Sequence, residues 1–233
     1  MTPEDEATID PWLVATAEYD ERGFRRVDSD LTGECEARVL FVGDSFTDGL
    51  WVNDGETFVN RYGRLARDRG VRVCPVNAGV DGYGSMEEAY TVEHEFEAAG
   101  RPHIIFVMHF PNDVAADEGA IVTGTLTDAS LSWDSSLSYL RRIAALSRAR
   151  DVRVVLAAIP PSAQLSDPST RRHYQDRLRR FAETEHITFV DLFDGIRDAN
   201  RAGAVYWTWD PHFTPRGHQV ILYEHTRGLL SSH

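Results

Sequence analysis

The 233-residue sequence contains no lysine, only two cysteines and no long apolar run. All 24 of its positive side chains are therefore arginines, and 37 acidic residues leave a formal net charge of −13. An acidic chain repels a phosphate backbone, and the sequence has no basic stripe with interleaved aromatic residues, so we expect no nucleic acid partner. No window approaches the roughly 18 apolar residues that a membrane-spanning helix needs, so we expect no membrane partner either.

The cysteines and the first residues indicate where the protein works. Cys35 and Cys74 are too few for a disulfide framework and lack the spacing of metal ligands, so we interpret them as buried thiols. The opening stretch MTPEDEATIDPW is acidic and has neither the basic start nor the apolar stretch of a secretory signal. We therefore expect a cytoplasmic protein, with no cofactor and no metal ion. The sequence does not indicate the oligomeric state.

Short runs rich in β-branched or aromatic residues alternate with amphipathic segments along the chain. The runs, typical of strands buried on both faces, are 38–43, 71–76, 103–110, 152–159 and 187–192. The helical patterns cover 56–69, 85–98, 133–149, 168–186 and 214–231. This alternation predicts an α/β fold, a flavodoxin-like three-layer α/β/α sandwich around a five-stranded parallel sheet. We expect residues 38–233 to form one domain and residues 1–37 an irregular N-terminal arm.

Two long polar stretches, 113–132 and 160–172, follow the third and fourth predicted strands. Loops of this length in a compact domain usually bear on function. Both leave the carboxyl edge of the sheet, where open α/β sheets bind ligands. We therefore expect them to form walls of a substrate site.

The stretch VLFVGDSFTDG, residues 39–49, puts a serine just beyond the first strand. Gly43 permits a sharp turn there, so the Ser45 hydroxyl is expected at the ligand-binding edge of the sheet. The position suits a nucleophile. A serine nucleophile needs a base, an acid that orients the base, and donors for the oxyanion that forms.

Candidates for all three tasks occur elsewhere in the chain. In WDPHFTPRGH, Asp210 and His212 lie two residues apart in a loop, so the carboxylate can hold one ring nitrogen and leave the other for Ser45. Gly79, taken to follow the second strand, offers a bare backbone N–H as an oxyanion donor. Asn112, after the third strand, offers a side-chain amide as a second donor.

These segments resemble the four sequence blocks of SGNH, or GDSL-type, hydrolases and occur in the same order. The blocks are GDSFTDG, NAGVDGYG, FPND and DPHFTPRGH, and the resemblance spans roughly residues 38–224. It implies that Ser45 is the nucleophile and His212 the base. It also implies an oxyanion hole made by the N–H groups of Ser45 and Gly79 together with the Asn112 amide.

Three positions depart from the family pattern. Phe110 stands where the third block usually has glycine and is followed by Pro111, a change that could narrow the acyl pocket. Phe46 replaces a frequent leucine. The acid lies two residues before the histidine instead of three, a form found in part of the superfamily that includes alginate-type O-acetyltransferases. The sequence therefore assigns the acid to Asp210.

Each candidate also has a purely structural interpretation. Ser45 alone could cap a helix, and His212 could be an ordinary loop histidine, since such residues often have these roles. Four blocks in the right order favour a catalytic site instead. Trp51, Trp207 and Trp209 lie near the candidates in sequence and either form an apolar acyl wall or simply pack together.

The prediction is a carboxylic ester hydrolase that forms an acyl-enzyme on Ser45. We expect the ester of a small soluble molecule, with an acetylated sugar or metabolite as one candidate. The alternative is an O-acyltransferase that passes the acyl group to an alcohol or a sugar. A flavin-binding electron carrier is a third hypothesis, which the two aspartates beside the serine disfavour because they would repel a phosphate.

Upstream of the serine, RGFR at residues 22–25 also resembles a stretch that precedes the serine block in some SGNH hydrolases.

Overall fold

The computed structural model describes residues 15–98, 100–114, 132–166 and 172–230, with side chains through Leu222. Within these ranges five strands alternate with helices. The strands are β1 (Ala37–Gly43), β2 (Val73–Gly79), β3 (Ile104–His109), β4 (Arg153–Ala158) and β5 (Thr188–Asp191). The α-helices are α1 (Ser45–Asp48), α2 (Phe58–Asp68), α3 (Ser85–Ala98), α4 (Trp133–Arg150), α5 (Ser162–Ser166), α6 (His173–Glu185), α7 (Phe193–Ala202) and α8 (Pro215–Leu230).

All five strands are parallel and lie in the order β2-β1-β3-β4-β5. The predicted five-stranded parallel sheet is confirmed. The order reverses between β1 and β3, the kind of position at which open α/β sheets bind ligands. The carboxyl ends of β1, β2 and β3 therefore meet at one edge, where Gly43 lies opposite both Gly79 and Met108.

Helices cover both faces of the sheet. On one face Leu40 and Val42 of β1 belong to a buried cluster with α3, α4 and α6. On the other face Val39 and Phe41 belong to a second cluster with α2, α7 and α8. Alternate strand residues supply the two cores because successive side chains of a strand point to opposite faces. The predicted three-layer sandwich is confirmed.

The sequence did not predict the helices α1, α5 and α7, and among the predicted strands the largest difference in bounds concerns β2. The sequence predicts an end at residue 76 with Gly79 beyond it, but β2 runs on to Gly79. Asn77, Ala78 and Gly79 pair with the last three residues of β1. A strand can continue there because Gly79 has no side chain, and a Cβ at that position would lie 2.2 Å from the backbone nitrogen of Asp48.

The described part of the arm and of the loops lies against the domain. Arg25 forms isolated antiparallel bridges with Tyr19 and with Asn77 of β2. The arm as a separate unit stays a prediction, since its residues 1–14 lie outside the described ranges. Residues 115–131 and 167–171, which belong to the two expected substrate loops, also lie outside these ranges. The second of these segments includes the start of the predicted 168–186 helix. Of the helices that the structure describes, none combines the length and the apolar character needed to cross a membrane.

Candidate active site

Ser45 is the first residue of α1, directly beyond the central strand β1. A Cβ at Gly43 would lie 2.2 Å from the side-chain oxygen of Thr47, so this sharp exit from the strand requires glycine. Asp44 caps the helix by accepting the N–H of Phe46 at 2.9 Å. The turn and the cap together fix the Ser45 side chain at the carboxyl edge of the sheet.

The structure brings the three side chains predicted as catalytic into one chain of hydrogen bonds. The Ser45 hydroxyl lies 2.7 Å from Nε2 of His212. Nδ1 of the same ring lies 2.5 Å from Oδ1 of Asp210, which also accepts the backbone N–H of His212 at 2.9 Å. Burial raises the pKa of Asp210, but the hydrogen bonds from His212 outweigh this effect, so that the pKa is lowered. An ionised Asp210 fixes the proton on Nδ1 and leaves Nε2 free to accept the Ser45 proton.

The loop that carries Asp210 and His212 is closed like a short hairpin. Tyr206 and Phe213 form an antiparallel bridge, and the Trp207 N–H donates to the His212 carbonyl at 3.0 Å. The Phe213 side chain is fully buried and anchors the loop in the core. Because Phe213 follows His212 directly, its burial presents the imidazole to the edge of the sheet.

Asn112 lies in a single 3₁₀ turn, Pro111–Asp113, just after β3. Its amide nitrogen donates to Oδ2 of Asp44 at 2.8 Å, so one of its two N–H bonds is used and the other remains. Its Oδ1 is buried and has no hydrogen-bond partner among the described residues. Asp44 itself is completely buried, and burial raises its pKa to about 6.

Gly79 does not supply the donor that the sequence prediction assigned to it. Its N–H donates to the Asn77 side chain at 3.1 Å, inside β2 and packed against α1. Gly82 instead lines the cavity next to Ser45, in a turn closed by the Tyr83 N–H and the Val80 carbonyl. Its φ of +79° is one that favours glycine. The sequence analysis missed Gly82 because it placed the end of β2 three residues too early.

Two backbone N–H groups near the serine are available. No residue in the described ranges accepts the N–H of Ser45 or that of Gly82. Together with the second N–H of Asn112, they give three donors around the cavity beside the Ser45 hydroxyl. Such donors can stabilise a negatively charged oxygen that forms next to the serine.

A cavity of about 440 Å³ opens at this site. Three carboxylates border it, those of Asp44, Asp81 and Asp210, and no arginine is among the described residues that line it. The remaining lining is Ser45, Phe46, Gly82, Phe110, Asn112, Pro161, Ser162, Trp207, Thr208, Trp209, Pro211 and His212. The cavity is therefore acidic and rich in aromatic side chains.

Trp51, Trp207 and Trp209 form a connected group, of which Trp207 and Trp209 line this cavity. The Trp207 and Trp209 rings stack with centroids 5.6 Å apart, and Trp51 meets Trp209 edge to face at 5.5 Å. Trp51 and Trp209 are 41% and 36% exposed, so the group does not belong to the core. The Trp207 indole nitrogen is buried and has no partner in the part of the chain that the structure describes.

On a second side of the cavity, two phenylalanines lie close together. The Phe46 and Phe110 rings have centroids 4.4 Å apart, and Phe46 lies 4.9 Å from the His212 ring. Phe110, at the position where the resembling family has glycine, is buried and lines the cavity. The departure from the family pattern therefore places a large ring at the site.

Sequence comparison finds one family. Residues 41–220 match the sequence model of the GDSL-like Lipase/Acylhydrolase family. No curated protein sequence matches the chain significantly.

Solved structures with a similar fold include TesA, an acetylxylan esterase and a member of a lipolytic protein family. TesA superposes with a TM-score of 0.64 at 16% identity, over 82% of this chain and 97% of that one. Axe2, an acetylxylan esterase from Geobacillus stearothermophilus, gives 0.62 at 17% identity, over 84% and 94%. A member of the lipolytic protein G-D-S-L family from Veillonella parvula DSM 2008 gives 0.58 at 21% identity, over 82% and 96%. Identities this low show a shared fold.

Proposed function

The chain belongs to the GDSL-like lipase and acylhydrolase family and is a carboxylic ester hydrolase, and from this premise we propose that it is a serine esterase with Ser45 as nucleophile. The observation that carries the proposal is the hydrogen-bond chain from Ser45 through His212 to Asp210, at 2.7 and 2.5 Å. Nucleophile, base and orienting acid in this arrangement are the requirements of acyl transfer through a serine.

In the proposed reaction, Nε2 of His212 takes the proton of the Ser45 hydroxyl as the serine oxygen attacks the ester carbonyl. The carbonyl oxygen becomes an oxyanion and is held by the N–H groups of Ser45 and Gly82 and by the Asn112 amide. The imidazolium then protonates the departing alcohol, leaving the acyl group on Ser45. Water attacks this ester while His212 takes its proton, and His212 then passes that proton to the departing Ser45 oxygen as the carboxylic acid is released. Asp210 stays ionised and stabilises the imidazolium in both steps.

We assign the acyl side of the substrate to the wall formed by Phe46 and Phe110. The two rings touch each other and Phe46 touches the His212 ring, so this wall is apolar and close to the reacting atoms. A glycine at position 110 would leave the space that the ring fills. The substitution therefore supports a short acyl group, such as acetyl.

We assign the alcohol side to the tryptophan group. The exposed indoles of Trp51 and Trp209 offer flat apolar faces on which a sugar ring can stack. The three carboxylates at the cavity and the net charge of −13 oppose an anionic ester. A neutral, hydroxylated ring suits these features, and a solved structure of similar fold is an acetylxylan esterase. An acetylated sugar is thus the proposed substrate class.

Loss of hydrolysis on removal of the nucleophile tests the proposed reaction. Wild type should hydrolyse p-nitrophenyl acetate, and Ser45→Ala should lose at least about a thousandfold in kcat, since the nucleophile is absent. Ser138→Ala, which removes the hydroxyl of a helical serine whose side chain bonds to the Ser135 carbonyl, is the matched control. Full activity in Ser45→Ala would contradict the proposal.

A second experiment tests the substrate class and the transferase alternative together. Trp209→Ala should raise KM for an acetylated disaccharide more than it raises KM for p-nitrophenyl acetate, because only the sugar needs the exposed indole. Equal effects on both substrates would contradict the sugar assignment. Products formed with a free sugar present distinguish hydrolysis from transfer, since a transferase gives more new ester than acetate.

A further inference from the structure

The helix that begins at Ser45 is a single turn, and its last carbonyls need partners from outside. α1 ends at Asp48, and the N–H groups of Gly49 and Leu50 both bond back to the Ser45 carbonyl, at 2.9 and 3.1 Å. No second helical turn follows to supply donors for the carbonyls of Asp48 and Gly49, and both residues are buried. Because so short a helix is not stable alone, its position depends on the groups that bind its end.

The guanidinium of Arg25 supplies these donors. One of its terminal nitrogens donates to the Gly49 carbonyl at 2.5 Å and to the Asp48 carbonyl at 3.1 Å. The other terminal nitrogen donates to the Val52 carbonyl at 2.6 Å. A rigid planar fork of donors can serve acceptors on several sides at once, which an ammonium group cannot do. The end of α1 and the loop beyond it are thus bound by one side chain.

The remaining donors of the same fork are used as well. Nε of Arg25 pairs with Asp54 at 2.7 Å, and the nitrogen that binds the loop also donates to the Thr16 carbonyl at 3.1 Å. All five N–H bonds of the guanidinium therefore have an acceptor. The Arg25 side chain is only 1% exposed, so water cannot replace an acceptor that is lost. The guanidinium is fixed in one orientation.

The chain beyond α1 turns so that its carbonyls meet this guanidinium. Gly49 and Trp51 have φ values of +91° and +67°, both in the left-handed region. A Cβ at Gly49 would lie 3.2 Å from Nη1 of Arg25 and 2.7 Å from a methyl carbon of Thr57, so this close approach requires glycine. Trp51 is 41% exposed, so burial of its side chain does not impose the conformation. The bonds to the carbonyls on either side of Trp51 hold it instead.

The N-terminal arm brings Arg25 to α1. The Arg25 backbone forms an isolated antiparallel bridge with Asn77 of β2, and the Asn77 amide donates to the same Asp48 carbonyl at 3.3 Å. Tyr19 of the arm donates its hydroxyl to Oδ2 of Asp48 at 3.2 Å. The last residue of α1 is therefore bound by two side chains of the arm and one of the sheet. The RGFR stretch at residues 22–25 ends with the arginine that makes these contacts.

We propose that Arg25 is a positioning residue that holds α1, and with it Ser45, in place against His212. This inference rests on the proposed serine esterase mechanism. The turn at Gly43 and the cap from Asp44 fix the start of α1, and Arg25 fixes its end, so the single turn cannot tilt. A tilt would lengthen the 2.7 Å contact between the Ser45 hydroxyl and His212. Arg25 is not among the described residues that line the cavity, so it acts through α1.

Kinetics of Arg25→Lys with p-nitrophenyl acetate test the proposal. Lysine keeps the positive charge but cannot reach all the acceptors, so kcat should fall about 30-fold while KM changes less than about threefold. The rate at which a fluorophosphonate labels Ser45 should fall by a similar factor, since labelling needs the same contact with His212. Both rates are measured well below the thermal midpoint of unfolding, so that all the enzyme is folded.

Two control variants separate positioning from a loss of stability. Arg64→Lys is the matched exchange, because Arg64 also joins the arm to the loop, through Asp28 and the Gly55 carbonyl, but has no hydrogen bond or ion pair to α1 among the described residues. Leu178→Ala empties a fully buried position in a cluster that contains no residue of α1, so it should lower the thermal midpoint at least as far as Arg25→Lys. Both controls should keep kcat within about twofold of wild type. An equal loss of kcat in Leu178→Ala would overturn the positioning role.

Asp54→Ala decides the question if Arg25→Lys does not fold. The Asp54 side chain is 23% exposed, so its removal leaves no buried charge without a way to water. The guanidinium keeps its contacts with α1 but loses its partner at Nε, and the Glu18 N–H loses an acceptor at 3.2 Å. We expect kcat to fall about threefold, with little change in the thermal midpoint. A wild-type kcat in Asp54→Ala would then overturn the positioning role.

The outcomes separate this proposal from the mechanism on which it rests. An inactive Ser45→Ala together with a folded Arg25→Lys of wild-type kcat and labelling rate would overturn the positioning role and leave the esterase standing. A raised KM at unchanged kcat in Arg25→Lys would also overturn it, since the effect would then lie in substrate binding. A fully active Ser45→Ala would overturn the mechanism and the positioning role together.

Discussion

Replacement of Asp44 by asparagine should weaken catalysis and, at neutral pH, leave the fold at least as stable. Asp44 accepts the Phe46 N–H at 2.9 Å and the Asn112 amide at 2.8 Å, so it holds the proposed oxyanion donor Asn112 in place. In Asp44→Asn one side-chain oxygen can still accept from Phe46, but the new amide nitrogen faces the amide nitrogen of Asn112. Two donors cannot bond to each other, so Asn112 should move and kcat should fall about 10- to 100-fold.

The effect of Asp44→Asn on the free energy of unfolding depends on pH, and the burial of Asp44 determines whether this effect rises or falls with pH. Burial is the largest cause that raises its pKa from 3.8 to about 6. Between these values the native state holds a proton that the unfolded chain has lost, so wild-type stability falls as pH rises through this window. At about 1.4 kcal/mol per pH unit, the loss from Asp44 totals about 3 kcal/mol. Asp44→Asn lacks this titration.

Urea unfolding at pH 4, 5, 6 and 7.5 measures the effect directly. The unfolding free energy of Asp44→Asn minus that of wild type should rise by about 2 kcal/mol from pH 4 to pH 6 and change by less than about 0.5 kcal/mol from pH 6 to pH 7.5. Activity at pH 7.5 should be low in the same variant. A stability difference that does not change with pH would refute the raised pKa of the buried Asp44. A variant with wild-type kcat would refute the role of its contact with Asn112.

Three further predictions follow from single contacts. Phe110→Ala should raise kcat/KM for p-nitrophenyl octanoate relative to the acetate about tenfold, since it opens the acyl wall, and an unchanged ratio in the chain-length assay would contradict that wall. Burial lowers the pKa of His218 to about 3, so wild-type stability falls below pH 6.5 where only the unfolded chain gains this proton. His218→Gln should therefore gain about 1.4 kcal/mol over wild type per pH unit between pH 6 and 4 in urea unfolding, and parallel curves would contradict this. Gly79→Ala should lose about 2 kcal/mol or more of stability because its Cβ would overlap α1. Gly82→Ala has open space around its Cβ but a φ of +79°, so it should lose only about 1 kcal/mol and should lower kcat, because the strained turn moves its N–H. The reverse pattern in melting and kinetic assays would contradict the assignment of the two glycines.

The fold was predictable because the parallel sheet requires a pattern that is local in sequence. Strands buried on both faces need continuous apolar runs, and the crossovers need amphipathic helices, so alternation alone identifies the sandwich. The end of β2 was not predictable in this way. Asn77, Ala78 and Gly79 have turn-forming residue types, and only their pairing with β1 and their packing under α1 keep them in the strand.

The catalytic side chains and their supports differ in the same respect. Ser45, Asp210 and His212 could be proposed because strand ends converge and because the sequence blocks resemble a known family. Arg25, in contrast, donates to the carbonyls of Gly49 and Val52, which meet its guanidinium only after the loop between them has closed. No residue type or spacing encodes such a contact, so only the structure could suggest it.

The most direct test of the serine mechanism is intact-mass and peptide mass spectrometry after treatment with a fluorophosphonate. We predict one adduct per chain, located on Ser45, absent from Ser45→Ala and formed much more slowly in His212→Ala, since the base at 2.7 Å activates the hydroxyl. An adduct on another residue, or an undiminished adduct in Ser45→Ala, would contradict the mechanism.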